Sequence, residues 1–226
     1  MFAMIRRLLL VASVLLPAAM PALALPPFLD GAASRRLDFD IIRHGETIGS
    51  HSMAFSTRQG VTEVEFKVRV RVKILSITAY RYDQHGVEVW DGDRLTSLSA
   101  DTDDDGDVYK VRAERHGDRL RVTSNDTVAE YSEMPVLNLW RVVPPQASQV
   151  LDPTDGKPTP IAAADNGWET ITVRGNPVRA QRWTWDGDLK RQLWYDDSGR
   201  LLQVHVKGSD GSDIYYVLKE PANLGR

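Results

Sequence analysis

The sequence predicts a mainly β fold of antiparallel strands with one short helical segment. Two patterns carry this prediction. The first is a series of dipeptides in which Gly follows Asp, His, Ser or Gln, lying between short runs rich in Val, Ile, Thr, Tyr and Trp. Two-residue hairpin turns need positive φ angles, which Gly adopts freely and Asp or His tolerates. The second is alternation of apolar and polar residues, which is typical of strands that bury one face.

The N-terminal residues have the layout of a secretory signal peptide. Arg6 and Arg7 precede an apolar run, and Ala22-Leu23-Ala24 fits a small-x-small cleavage site. The apolar run is too short to cross a hydrocarbon core of about 30 Å. We therefore expect residues 1–24 to be removed on export and residues 25–226 to form a single β-rich domain in the periplasm. The general and the twin-arginine export routes both stay open.

The composition narrows the classes of partner and chemistry. The formal net charge is −3, and both basic residues of the signal would be lost, which leaves a more acidic chain and argues against nucleic acid. The chain has no Cys, which excludes disulfides, lipid attachment at an N-terminal Cys and thiol catalysis. No apolar stretch after Leu25 is long enough for a transmembrane helix, so we expect no membrane span in the mature chain.

Alternating runs follow one another along the chain and predict about a dozen strands. Their apolar faces consist of Leu37, Phe39 and Ile41; His51, Met53 and Phe55; Phe66, Val68, Val70, Val72 and Ile74; Tyr109, Val111 and Ala113; Leu120 and Val122; and Leu202, Val204 and Val206. The third run loses its phase at Leu75-Ser76, where we expect a β-bulge or a strand buried on both faces. Residues 128–149 do not alternate, and Ser132 to Val143 predict the short helix, with Ser132 as its cap and Pro144-Pro145 beyond its end.

The stretch Arg43-His44-Gly45-Glu46-Thr47 resembles the signature of the histidine phosphatases, in which the His becomes phosphorylated. That chemistry requires the His at the end of a parallel strand, with helices alternating along the chain. Here another alternating run follows at once, and His-Gly recurs at His85-Gly86 and His116-Gly117 between strand-like runs. Because a motif counts only in its structural context, we interpret all three as hairpin turns and predict no catalytic residue.

No metal site or cofactor is predicted. Asp101, Asp103, Asp105 and Gly106 match the first positions of an EF-hand loop, but position 12, which needs a Glu, is Arg112. The stretch is better interpreted as a solvated hairpin loop, with weak cation binding as the alternative. The five His residues lack the His-x-His or His-x-x-x-His spacing of a zinc pair.

The candidate ligand-binding residues are Tyr80, Tyr82, Glu88, Trp90 and Arg182. Tyr80 and Tyr82 share one face, Glu88 and Trp90 share another, and a hairpin turn at His85-Gly86 would bring the pairs together. Aromatic side chains beside a carboxylate can line a pocket, although Tyr and Trp also simply favour half-buried strands. Arg182 is in phase with Val178 and Ala180, so on an interior face its charge would need an acidic partner.

A family resemblance covers most of the chain after the signal. It rests on the segments Phe39-Asp-Ile-Ile, Ile48-Gly-Ser-His51, Val72-Lys-Ile-Leu-Ser-Ile-Thr-Ala-Tyr-Arg-Tyr82, Glu88-Val-Trp90-Asp-Gly-Asp-Arg-Leu95 and Leu193-Trp-Tyr-Asp-Asp-Ser-Gly-Arg-Leu201. Together they resemble an exported bacterial family known as domain of unknown function 6134. The family carries no assigned activity, so the resemblance implies none. The overall architecture of the family is similar to that of periplasmic half-barrels of the lipoprotein-carrier kind. This similarity implies a curved sheet around an apolar groove.

The expected fold is therefore a curved antiparallel sheet or partly open β-barrel, with a short helical segment plugging it. The expected function is non-catalytic binding of a lipid or other amphipathic small molecule in the periplasm, with Glu88 or Arg182 orienting its polar end. The first alternative is a cell-envelope interaction protein that binds a partner chain. A hydrolase is the third hypothesis.

Overall fold

The computed structural model describes residues 25–31, 34–74 and 77–219. The predicted signal peptide lies outside the described residues, as does the predicted irregularity at Leu75-Ser76. A 3-10 turn, Pro27–Leu29, precedes the strands. The strands are β1 (Ser34–Arg43), β2 (Glu46–Arg58), β3 (Val61–Ile74), β4 (Ile77–Asp91), β5 (Arg94–Asp104), β6 (Asp107–His116), β7 (Arg119–Ser124), β8 (Thr127–Ser132), β9 (Gln149–Leu151), β10 (Pro158–Val173), β11 (Asn176–Gly187), β12 (Arg191–Tyr195), β13 (Leu201–Lys207) and β14 (Asp213–Leu218).

All fourteen strands belong to one antiparallel sheet. Their order is β8-β7-β6-β5-β4-β3-β2-β1-β14-β13-β12-β11-β10-β9, so neighbours in sequence pair throughout and β1 also pairs with β14. The two edges, β8 and β9, are not paired with each other, and the sheet is a partly open barrel rather than a closed one. The prediction of a mainly β, antiparallel, barrel-like fold is confirmed.

The predicted apolar faces point into the interior. Phe39, Ile41 and Met53 are 0%, 1% and 1% exposed, and the polar residues between them are more exposed. Several hairpin turns are also confirmed. His44 and Gly45 have φ angles of 53° and 80°, and they join β1 to β2. This pair of positive φ angles is the one that a two-residue turn between twisted strands requires.

The sheet curls around the chain segment that joins its two edges, residues 133–148. The indole of Trp140 donates to Glu88 of β4, and the carbonyl of Leu139 accepts a hydrogen bond from the hydroxyl of Tyr195 of β12. Since β4 and β12 are six places apart in the strand order, the sheet must bend for one segment to reach both. Trp140 is 1% exposed and lies edge-on to the rings of Phe55 and Trp90. Residues 133–148 therefore plug the barrel.

The predicted helix at Ser132 to Val143 is wrong. Ser132 ends β8, and the residues after it are irregular. The backbone of Pro135 and Leu137 hydrogen-bonds to Leu151 of β9 in a parallel bridge, so those groups are already satisfied without a helix. Among the described residues, the 3-10 turn is the only helical element, and no helix has the length and apolar character needed to cross a membrane.

Candidate functional site

An interior cavity of about 350 Å³ lies between the plug and the strands β1 to β4 and β12 to β14. Its apolar wall includes Met53, Phe66, Val68, Val70 and Val206. The polar groups that face it come from several strands and from the plug. Ligand sites in proteins have this character, with mostly apolar walls and a few converging polar groups.

One face of β4 supplies the largest share of these polar groups. Tyr80, Tyr82, Gln84 and Glu88 alternate along this strand and all line the cavity. The predicted hairpin turn at His85-Gly86 is wrong, because β4 runs through it without interruption. The strand that precedes β4 is β3, and Ile74 at its end pairs with Ile77 of β4. The four side chains therefore meet by sharing one strand face.

Gly86 serves packing rather than a turn. A Cβ atom at this position would lie 2.3 Å from Cζ of Phe66 and 2.5 Å from the carbonyl oxygen of Ser99. Phe66 is the residue opposite Gly86 on β3, and its ring fills the space that a side chain would occupy. Gly is thus required here for close approach and not for a positive φ.

The carboxyl group of Glu88 holds the plug in place. Its Oε2 accepts hydrogen bonds from Trp90 Nε1 at 2.8 Å, from Asn138 Nδ2 at 3.1 Å and from Trp140 Nε1 at 3.1 Å. Glu88 is 1% exposed, and burial raises its pKa, against the lowering effect of these three donors and of the nearby Arg141 guanidinium. A buried carboxyl with three donors is a well-satisfied anchor.

Three further hydrogen bonds join side chains of β4 to the edge of the cavity. The hydroxyl of Tyr80 donates to Asp104 Oδ1 at 2.8 Å. The hydroxyls of Tyr82 and Thr154 lie 3.2 Å apart, and Gln84 Nε2 donates to the same Thr154 oxygen at 3.4 Å. Because Thr154 follows β9, these contacts bring that edge of the sheet back to β4.

A second polar group, here called the donor cluster, consists of His51, Arg191 and Tyr216. The rings of His51 and Tyr216 lie edge to face with centroids 6.1 Å apart, and all three side chains line the cavity. His51 is 6% exposed. Burial, assisted by the charge of Arg191, lowers the pKa of His51 to about 4, so the imidazole is neutral near pH 7. Burial also raises the pKa of Tyr216.

Of the predicted site residues, Tyr80, Tyr82 and Glu88 line the cavity. Trp90 does not line it and is linked to it only by its hydrogen bond to Glu88. Arg182 does not line it. The buried residues of β11 are Val178 and Ala180 and then Trp183 and Trp185, so the alternation shifts by one residue. Arg182 therefore does not share the buried face of Val178 and Ala180, contrary to the sequence prediction. Its Nε lies 3.6 Å from Glu169 Oε1.

The other motifs lie elsewhere on the protein. His44 is exposed in its hairpin turn, and the adjacent Arg43 pairs with Asp210. The stretch Asp101–Asp107 forms the β5–β6 hairpin, whose turn is at Asp105-Gly106. Arg81 bonds Asp103 at 2.5 Å and Arg112 bonds Asp101 at 3.0 Å across neighbouring strands.

Sequence reasoning missed Gln84, Asn138, Arg191 and Tyr216. Gln84 could have been found, because the alternation from Tyr80 to Trp90 continues through it if no turn is assumed. Asn138 lies in the segment where alternation fails. Arg191 and Tyr216 carry no local signal, since only the curl of the sheet brings them to the cavity.

The fold and the sequence both have recognised counterparts. A crystal structure titled as a β-barrel-like protein of domain of unknown function DUF1849, from Brucella abortus, superposes with a TM-score of 0.58 at 8% identity, covering 83% of this chain and 96% of that chain. This likeness concerns the fold alone. A search of curated proteins finds no match. Residues 39–219 match the family model described as domain of unknown function (DUF6134), and the chain therefore belongs to that family.

Proposed function

We propose that the protein binds an apolar or amphipathic small molecule, such as a lipid or acyl chain, in its interior cavity. The binding is non-catalytic and takes place in the periplasm after export. The observation that carries the proposal is the cavity itself, which has an apolar wall and polar groups at several points. Burial of an apolar chain against that wall provides the driving force.

The size of the cavity favours a small ligand. Its volume of about 350 Å³ lies near the lower end of the range of roughly 300–1,000 Å³ typical of small-molecule sites. A single acyl chain or a compact ring system suits that volume better than a lipid with two long chains. The plug lines one side of the cavity through Leu137 and Leu139.

The histidines support binding over hydrolysis. A hydrolase that uses His as its general base needs that His inside a cleft, within hydrogen-bond reach of a group that orients it. Among the described residues, the His–carboxylate pairs within that reach are His85–Glu65 at 3.0 Å and His205–Asp213 at 2.6 Å, and neither His lines the cavity. The cavity histidine, His51, packs instead against the rings of Phe39 and Tyr216.

The first test is native mass spectrometry of the protein purified from its own periplasm, followed by organic extraction. We expect a small molecule bound in a 1:1 ratio. The matched variants are Val70→Phe, which fills the cavity, and Val128→Phe, whose parent side chain is 52% exposed on the edge strand β8. Loss of the bound mass in the first variant alone supports the proposal. An empty wild-type protein that also binds no fluorescent fatty acid would overturn it.

The edge strand β8 favours a second candidate, binding of an envelope protein by strand addition. Among the named strands β8 pairs only with β7, so one side of its backbone is open to a partner strand. The chain has no Cys, so Glu130→Cys gives a single crosslinking site on β8, and Glu63→Cys on β3 is its control. A specific adduct at position 130 alone would support this candidate, and equal labelling at both positions would contradict it.

A further inference from the structure

The donor cluster has polar groups without partners. Within the described residues, Arg191 forms no ion pair and no side-chain hydrogen bond, and its Cζ lies 5.9 Å from the centroid of the Trp185 ring. The hydroxyl of Tyr216, which also lines the cavity, forms no hydrogen bond to any of the described residues. Nδ1 of His51 is inaccessible to solvent and has no partner. Buried polar groups are almost always hydrogen-bonded, so the unpaired Nδ1 of His51 points to a ligand atom in the cavity. Arg191 and Tyr216 are half-buried beside it, and their donors are available to the same ligand.

Building on the function proposed above, we infer that the ligand carries a carboxylate and that Arg191, Tyr216 and His51 bind it. Arg191 and the Tyr216 hydroxyl are donors, and Arg191 adds a positive charge. The planar guanidinium matches a carboxylate with two parallel hydrogen bonds. His51 contributes a third donor when its proton is on Nδ1, and as a neutral ring it does so without adding charge.

The strand pairing shows how three distant residues reach one point. Arg191 of β12 pairs with Val206 of β13, which pairs with Ile214 of β14, two residues before Tyr216. Tyr216 pairs with Ile41 of β1, which pairs with Gly49 of β2, two residues before His51. The donor cluster therefore spans the inner wall from β12 to β2.

The acidic residues of the cavity lie on other elements and already have donors. Asp104 of β5 accepts a hydrogen bond from the hydroxyl of Tyr80, and Asp152 accepts one from the backbone N–H of Thr154 at 2.7 Å. Oε2 of Glu88 accepts three hydrogen bonds. The carboxylates of Asp104 and Asp152 repel an anionic group from that side of the cavity, and the guanidinium of Arg191 attracts it. The apolar part of the ligand then lies along Val68, Val70 and Met53.

The test uses three probes that share one chain and differ only in the head group: dodecanoate, dodecan-1-ol and dodecyltrimethylammonium. Isothermal titration of the purified protein is expected to give dodecanoate at least about 10-fold tighter binding than the alcohol, which is the effect of a hydrogen-bonded charge. The ammonium probe is expected to bind most weakly. Arg191→Gln should remove the preference for dodecanoate, and Tyr216→Phe should reduce it.

Arg182→Gln is the matched control, because Arg182 lies on the neighbouring strand β11, pairs with Glu169 and does not line the cavity. It should keep the preference. If Arg191→Gln fails to fold by thermal melting, Arg191→Lys and Tyr216→Phe carry the test. Equal binding of the acid and the alcohol to the wild type would overturn the carboxylate inference and leave the proposed function standing. No binding of any of the three probes would overturn both.

Discussion

Trp140 Nε1 donates a hydrogen bond to Glu88 Oε2 across 3.1 Å, joining residues that are 52 positions apart in the chain. This bond ties the plug to the inner face of β4. Trp90 and Asn138 donate to the same oxygen, so one carboxyl organises both the strand and the segment that crosses the barrel. The cavity exists beside this anchor because the plug occupies only part of the interior.

Replacing Glu88 by Ala is expected to destabilise the protein by about 3–5 kcal/mol, because three buried N–H donors lose their acceptor. Urea unfolding followed by Trp fluorescence measures this loss. The control is Glu63→Ala, which removes an exposed carboxyl on β3 and should change stability by no more than about 0.5 kcal/mol. A similar small effect at both positions would show that Glu88 does not hold the plug.

His51 is expected to make the protein less stable in mild acid. Its pKa is about 4 in the folded protein against 6.5 for an unperturbed His. Between these values the unfolded chain binds a proton that the folded protein does not, so the free energy of unfolding falls as the pH decreases from 6.5 to 4. The effect amounts to about 2–3 kcal/mol over that interval.

The measurement is urea unfolding at several pH values for the wild type and for His51→Gln, which cannot titrate. The variant should lose this slope whatever its absolute stability. Glu88 acts in the opposite direction above pH 4.5, since its raised pKa makes the folded protein the better proton acceptor there. The difference between variant and wild type isolates His51, and parallel curves for the two proteins would refute the assignment.

Gly86→Ala is expected to cost at least about 2 kcal/mol, because the new methyl group would overlap the ring of Phe66 and the carbonyl of Ser99. Thermal and urea unfolding provide the measurement. Adding Phe66→Leu removes part of the overlap, so the double variant should lose less stability than the sum of the two single variants. Strict additivity would mean that the two residues do not compete for the same space.

The turn at His44-Gly45 should respond differently from Gly86. Gly45 has a φ of 80° with open space where a Cβ would lie, so Gly45→Ala should cost about 1–2 kcal/mol from backbone strain alone. His44→Asn should be tolerated within about 0.5 kcal/mol, since Asn also adopts positive φ readily. A large loss of stability in His44→Asn would contradict this prediction. It would indicate that His44 contributes a contact of its ring and not only a positive φ angle.

The strand faces were predictable because burial on one side of a sheet leaves a period of two in the sequence, as at Leu37, Phe39 and Ile41. The turn at His44-Gly45 was predictable for a related reason, since few residues accept positive φ. Local rules failed at His85-Gly86, which is the same dipeptide as His44-Gly45. Here the Gly is needed because it leaves room for the ring of Phe66 on the neighbouring strand. They failed again at Arg182, where a shift of one residue changes the face of the strand.

The sequence by itself determined that this is an antiparallel β protein and which side chains of most strands face inward. Only the tertiary structure decided that residues 133–148 plug the barrel, that Glu88 anchors them, and that His51, Arg191 and Tyr216 meet at the cavity. The physical reason is the range of the interactions. Alternation and turn chemistry act between near neighbours in the chain, whereas the plug and the donor cluster depend on how far a fourteen-stranded sheet curls before its edges approach each other.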